Sequence, residues 1–397
     1  MKNLPNVTQS DIRKVNRAKI LSVLREQSMV SKQDLAQTLH FSHTTINTHI
    51  QALMEEGLVE LAGEGASIGG RKPLMLQIAR HAKYAFGVNI APERVTVLLS
   101  NMTGEIEERQ TLDYPPSAGL EQILAQVADR IDGMIAEHNL PRGKITGVGL
   151  SIPGAVDIKK NIIVLASNIG VRDFSLAAFS TRLGLPVFAE NEAITASYAE
   201  QLVGKGRDKK NFVYISIAKG IGSSIVLGGR VYRSTNMNAG EFGHIKIMDA
   251  GLSCLCGRRD CWELFASKTA LLRYYSESGG LDDGQTGDPL ERLKNAYRQG
   301  EPIAIQTVEK YTHFLFWGIE TILLTLSPDE VIIGGELGRF MEDIIRCGRD
   351  KLKINQRFYG YENTPITASA FEENGAVLGA PFLPLNQIYD FTREIQL

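Results

Sequence analysis

Four side chains with metal-binding chemistry are gathered in one stretch, GEFGHIKIMDAGLSCLCGRRDCWELFAS (240–267): His244, Cys254, Cys256 and Cys261. One imidazole nitrogen and three thiolates make a complete tetrahedral set for zinc, with no position left for water. A closed site of this kind stiffens a loop and cannot generate a nucleophile, so the expected cofactor is structural Zn2+ and zinc-dependent hydrolysis is disfavoured. The competing reading is three buried cysteines beside an unrelated histidine. The close spacing of three of the four cysteines favours metal over disulfide in a reducing compartment, while Cys347 stands apart and is expected simply to pack.

A second group is polar and nearly uncharged: Ser42, His43, Thr44, Thr45, Asn47, Thr48 and Gln51. Ile46, Ile50 and Leu53 recur among them at helical spacing, which predicts a helix from His43 to about Glu56 with one apolar and one short polar face. Thr, Asn and Gln on such a face can meet base edges in a major groove, although a solvated helix face has the same pattern. The flanking elements favour the groove. A helix over 16–27 carries Ile20, Leu21 and Leu24; a second is capped by Ser31, has Asp34 three residues later, and buries Leu35, Ala36 and Leu39. Gly57 stops the third helix, and LVEL and LMLQIA read as strands around a basic loop, GEGASIGGRKP. That is the order of a winged helix-turn-helix DNA-binding domain, expected over residues 1–80 with its linker. Arg71 and Lys72, after a Gly-Gly pair, are expected to enter a minor groove. Residues 1–80 carry ten Lys/Arg against seven Asp/Glu and the remainder 33 against 38, an asymmetry that suits a head that binds double-stranded DNA.

A chain of 397 residues with 43% hydrophobic content can bury more than one core. One arrangement occurs twice beyond Tyr84: YAFGVNIAPERVTVLLSNMTGEI and NFVYISIAKGIGSSIVLGGRVYRS each read as strand, turn, strand, turn, strand. A duplicated α/β lobe follows, of the kind in which paired turns can cradle phosphates. The opening MKNLPNVTQSD lacks the apolar run of a signal peptide, so a cytoplasmic location is expected. FLFWGIETILLTL contains Glu320 and falls short of the roughly 20 residues that span a bilayer, so no membrane role is expected.

These residues resemble the ROK family (repressors, open reading frames and sugar kinases), and within it the xylose-repressor branch. The resemblance rests on the GExGH, CxC and CWE series just quoted, with IPGAVD (152–157), ASN (166–168), ENEA (190–193) and SPDEVIIGGE (327–336). It spans nearly the whole chain. It implies an actin-like (ribonuclease H-like) two-lobed body: lobe 1 at 81–195 with a C-terminal helix, 381–397, packing back on it, and lobe 2 at 196–380 with the zinc loop and a dimerisation surface. It also implies a sugar ligand and a palindromic operator. Carried over by position, it puts Gly154, Asn168, Asn191, Glu192, Glu241, His244 and Glu263 around the sugar. Carboxylates and amides suit hydroxyls that both donate and accept, and His244 would serve metal with one ring nitrogen and sugar with the other.

The resemblance also sets what a working kinase of the family would need. Its first phosphate loop reads DIGGT, whereas this chain has NIAPE: Asn89 lacks the charge, Ala91 adds a side chain, and Pro92 has no amide hydrogen. The second loop, AKGIGSS, departs from the GTG pattern, although Lys219 could meet a phosphate. The general base is Asp in the kinases and Glu192 here, a displacement of about 1 Å that can cost on the order of a hundredfold in rate. The expectation is therefore a non-enzymatic regulator: a repressor, homodimeric or tetrameric, released from its operator by a monosaccharide or phosphosugar. The alternatives are a sugar kinase that phosphorylates a hexose with ATP, and a sugar-binding module whose head docks on protein.

Overall fold

The computed structural model describes residues 8–65, 72–115, 117–234, 239–281, 287–352 and 363–389, and the chain divides into two compact units, 1–190 with 380–397, and 191–379. The first unit opens with α1 (Gln9–Gln27), β1 (Val30–Ser31), α2 (Lys32–Leu39), α3 (His43–Glu55), β2 (Val59–Glu64) and β3 (Leu74–Ile78). Helix α1 begins about two turns before the expected position. Its apolar stripe starts late, but Thr8 and Asp11 form a reciprocal capping box that nucleates the helix earlier. Ser31 and Asp34 make the same box at α2, as the spacing predicts. Ile46, Ile50 and Leu53 of α3 are fully buried against this small core. The antiparallel pair β2 and β3 gains a third strand, because Val30 and Ser31 pair with Leu76 and Met75. Two residues carry too little alternation to announce a strand.

The body of this unit continues with β4 (Tyr84–Ala91), β5 (Arg94–Asn101), β6 (Ile106–Asp113), α4 (Leu120–Glu137), β7 (Ile145–Ile152), β8 (Ala155–Asp157), β9 (Ile162–Ala166), β10 (Val171–Ser175), α5 (Ala177–Leu183) and β11 (Val187–Asn191). Its main sheet has the order β11-β7-β4-β5-β6. Helix α4 lays Ile123, Val127, Ile131 and Met134 into the core with Val88, Val97 and Leu150 of the strands.

The second unit contains α6 (Glu192–Val203), β12 (Phe212–Ile217), β13 (Ile221–Leu227), β14 (Arg230–Val231), α7 (Glu263–Ala266), α8 (Lys268–Glu277), α9 (Pro289–Arg298), α10 (Pro302–Leu326), β15 (Glu330–Gly335), α11 (Phe340–Leu352), β16 (Ile366–Ala368) and α12 (Gly375–Gly379). Its sheet has the order β14-β13-β12-β15-β16. From the third strand outward this repeats the first sheet: β4 and β12 each pair antiparallel with the next strand in sequence, and parallel with the strand that follows in the body, β7 or β15. The duplicated lobe read from the strand-turn pattern is thus a repeated sheet topology. The apolar FLFWGIETILLTL segment is the C-terminal half of α10, packed with Leu315, Ile319 and Ile322 inward. No helix among the described residues is long and apolar enough to cross a membrane. After Gly379 the chain returns to the first unit as α13 (Phe382–Tyr389). The remainder of the expected C-terminal helix, 390–397, lies outside the described residues.

Candidate metal centre and recognition helix

The segment from Gly240 to Ser267 is an irregular loop pinned by its own backbone. Lys246 bridges to Cys261 and Ser253 to Arg259 in short antiparallel contacts, and the Cys254 amide donates to Arg258 O at 2.9 Å. Asp260, at φ 59°, closes it: its carboxylate accepts from Leu252 N at 2.8 Å and Gly251 N at 3.1 Å. Desolvation acts against the ionised form, but these backbone donors prevail and hold its carboxyl below the usual range.

That loop brings one ligand atom from each of His244, Cys254, Cys256 and Cys261 to within 4.8 Å of one another. Cys256 Sγ and Cys261 Sγ stand 3.6 Å apart, and Cys254 Sγ stands 3.7 Å from His244 Nδ1. Zinc–sulfur and zinc–nitrogen bonds at tetrahedral angles require separations of about 3.8 and 3.5 Å, so the donors fit the ion in type and number, and these two pairs fit it in spacing. Nδ1 is the nitrogen on the sulfur side, whereas Nε2 lies 3.8 Å from Glu241.

The sugar residues expected in the second unit divide. Glu241, His244 and Glu263 are brought together: Glu263 Oε1 is 3.5 Å from His244 Nδ1 and accepts from the Cys254 thiol at 3.0 Å. Asn191 and Glu192 lie at the start of α6, where the Asn191 side chain caps the helix by accepting from Ala193 N at 2.8 Å. Burial first, then the charge of Glu336, pushes the Glu192 carboxyl up to about 7. Glu336 itself bonds Lys268 at 2.6 Å. In the first unit, Asn168 is exposed on a short helical turn. Gly154 is held tight, since a Cβ there would stand 2.2 Å from Leu165 O.

Three neighbours of these residues escaped the sequence reading. Trp262, between Cys261 and Glu263, is fully buried and donates from Nε1 to Phe314 O at 2.8 Å. Gly318 of α10 makes room for it, because a Cβ there would lie 2.1 Å from the indole. Gly220, in the β12–β13 turn, accommodates Glu263, whose Oε2 would be 2.6 Å from an added Cβ. The Trp in CWE was the available signal; the two glycines gave none, because close approach is a property of three dimensions.

The two turns in phosphate-loop position are both tight. Pro92 and Glu93 alone join β4 to β5, with Glu93 at φ 65°. Tyr114 covers this turn: its hydroxyl donates to Ala91 O and its amide to Glu93 O. In the β12–β13 turn, Lys219 is exposed and its carbonyl accepts from Thr269 Oγ1 at 3.0 Å.

On the head, Ser42, His43, Thr44, Asn47, Thr48 and Gln51 are exposed on α3 or at its start, and Thr45 is half-buried. Ser42 is the N-cap and accepts from Thr45 N. Thr48 bonds back to Thr44 O at 3.0 Å. Lys32 of α2 donates to Asn47 Oδ1 at 2.9 Å, and Gln51 Nε2 donates to Glu55 at 3.1 Å. Lys72 is exposed, 3.6 Å from Glu64, and Arg71 lies outside the described residues.

Residues 15–60 match a model described as winged helix-turn-helix DNA-binding, and residues 85–386 match the model of the ROK family. The chain is 27% identical to the xylose repressor of Bacillus spizizenii over 97% of this chain and 98% of the relative. A solved ROK family transcriptional regulator, described as a homologue of the Escherichia coli MLC protein, superposes with TM-score 0.82 over 96% of this chain and 97% of its own at 22% identity, a likeness of fold. A ROK family glucokinase from Streptomyces griseus, solved with glucose and AMPPNP, superposes with TM-score 0.66 over 76% of this chain and 98% of its own at 26% identity. With a winged helix-turn-helix ahead of two α/β lobes and a histidine–cysteine cluster in the second, this chain belongs to the ROK family.

Proposed function

We propose that the protein is a sugar-responsive transcriptional regulator, a repressor that leaves a palindromic DNA operator when a monosaccharide or its phosphate binds the body. The observation that carries this reading is the exposed, short polar face of α3 on a capped winged helix head joined to a ROK body. The xylose repressors among its relatives support repression and make xylose the first ligand to try. Gly154, Asn168, Asn191, Glu192, Glu241, His244 and Glu263 form the proposed sugar set, and Ser42, His43, Thr44, Thr45, Asn47, Thr48, Gln51, Arg71 and Lys72 the DNA set. Structural zinc on His244, Cys254, Cys256 and Cys261 would hold the loop that carries Glu241 and Glu263. The proposed assembly is a cytoplasmic homodimer, or a dimer of dimers, that presents two copies of α3 to successive major grooves.

A sugar kinase is the second reading, favoured by the likeness to a glucokinase and by the retained carboxyl of Glu192. The first turn supports the regulator instead. Pro92 has no amide hydrogen to offer a phosphate.

Selection of duplexes from a random pool with the full-length protein, followed by titration of pentoses and hexoses against the selected duplex, tests the proposal. A sugar and DNA that oppose each other must weaken each other by the same factor. ATP turnover with any of those sugars at ordinary kinase rates, on the order of 1–100 per second, would overturn the ranking.

A further inference from the structure

The first unit contains a joint that none of the proposed DNA or sugar residues occupies. Helix α1 runs past α13, where the guanidinium carbon of Arg25 lies 4.7 Å from the ring centroid of Tyr389. Tyr389 is 4% exposed, and its hydroxyl donates to Met102 O at 2.9 Å. Met102 is fully buried in the turn between β5 and β6, and its amide donates to Arg80 O at 3.0 Å. Arg80 belongs to the connection that leads out of the head after β3. The two backbone groups of one residue therefore hold the connection from the head and the terminal helix together.

That turn is built to be stiff. Asn101 Oδ1 accepts from Thr103 N, Thr103 Oγ1 and Glu105 N at 2.7–3.2 Å, and Asn101 Nδ2 donates to Glu105 and Glu107. The Arg80 guanidinium adds an ion pair with Glu105 at 3.0 Å. Helix α13 is equally fixed, since a Cβ at Gly149 of β7 would stand 1.9 Å from Ala380 O and one at Gly104 would stand 2.5 Å from the Phe382 ring. Its first residues follow directly on the return of the chain from the second unit after Gly379.

We propose that Arg25 and Tyr389 are positioning residues: seated on Met102, they fix the orientation of the head on the first unit. The contact suits this task. A cation over a desolvated ring is strong enough to order a joint. The functional half of the proposal rests on the regulator reading.

The test uses the full-length chain with Arg25→Met, which keeps length and loses charge, Arg25→Lys, which restores a cation, and Tyr389→Phe, which keeps the ring and loses the Met102 bond. Hydrogen exchange is followed at amides of α1 and, as a control for folding, of α10. Arg25→Met should accelerate exchange in the last turns of α1 about fivefold or more, with α10 unchanged and Arg25→Lys closer to wild type. The same proteins are then offered a duplex selected with the wild type and versions whose half-sites are moved apart by roughly one to three base pairs. A loosened head should tolerate the altered spacing that the wild type rejects. Unchanged exchange in α1 would overturn the joint, and faster exchange with unaltered spacing preference would overturn its positioning role. If the wild type selects no duplex, the regulator reading fails while the exchange result still decides the joint.

Discussion

Glu263 Oε1 accepts from Cys254 Sγ at 3.0 Å, so a carboxylate proposed to hold sugar is bonded to a sulfur proposed to hold metal. Burial and this bond both raise the Cys254 thiol above its ordinary value. A coordinated thiolate has no proton to donate, which leaves that Glu263 oxygen free to accept from a sugar hydroxyl. Metal and sugar binding are therefore expected to be coupled. Cys256→Ser should lower zinc affinity by at least about a hundredfold and abolish the calorimetric signal of the inducing sugar. Retention of stoichiometric zinc by this variant against a competing chelator would remove the cluster as the metal site.

Trp262 gives a way to disturb the centre from a distance. Its indole lies over Gly318 and bonds Phe314 O, so α10 sets the positions of Cys261 and Glu263 on either side of it. Gly318→Ala relieves a helix-disfavouring glycine, a gain of about 1 kcal/mol, but forces a methyl group to 2.1 Å from the indole. Overpacking should win, with a net loss of about 1–3 kcal/mol in chemical denaturation and weaker zinc retention. A variant as stable as wild type, with intact zinc retention, would show that the centre does not lean on α10.

The elements of the head were legible because local rules set them: Ser31 and Asp34 are three residues apart, Ile46, Ile50 and Leu53 fall on one face, and Gly57 adopts φ 69° where α3 stops. The histidine–cysteine cluster was legible because zinc selects residue types and short spacings. The Thr8 cap was less legible because it lies well ahead of the apolar stripe around Ile20, where no periodicity marks a helix. Gly220, Gly318 and the Arg25–Tyr389 contact were invisible for another reason: each depends on segments far apart in the chain, and no periodicity records such a meeting.

Glu192 makes stability depend on pH. Its ordinary value of 4.5 is pushed to about 7 by burial and by Glu336. The sign follows from a raised folded-state value. Stabilisation of the neutral carboxyl is fully present below about pH 4.5 and is lost as pH rises through about 7. At about 1.4 kcal/mol per unit the ceiling is about 3 kcal/mol, which partial solvent access reduces to about 1–2. Glu192→Gln should therefore be more stable than wild type near pH 8 and show little difference near pH 4.5 in denaturant titrations. An equal effect at both ends of that range would mean that Glu192 ionises normally.

The recognition helix allows a sharper prediction than loss of binding, because two of its amides are already oriented. Lys32 can only donate, so Asn47 must turn Oδ1 toward it, which leaves Nδ2 to donate outward. Glu55 as a carboxylate can only accept, so Gln51 gives it Nε2 and presents Oε1. Asn47 should accordingly read a base edge that accepts, such as guanine O6 and N7, and Gln51 one that donates, such as cytosine N4. Asn47→Ala and Gln51→Ala should each cost about 1–3 kcal/mol of discrimination at one base pair, at different positions of the half-site. Lys72→Ala is the contrasting variant, expected to weaken all duplexes alike and to lower the salt slope by about 1. Specificity profiles measured by competition against single-base variants of a selected duplex check all three. If Asn47→Ala and Gln51→Ala lost affinity uniformly across those variants, α3 would be holding backbone phosphates instead of reading bases.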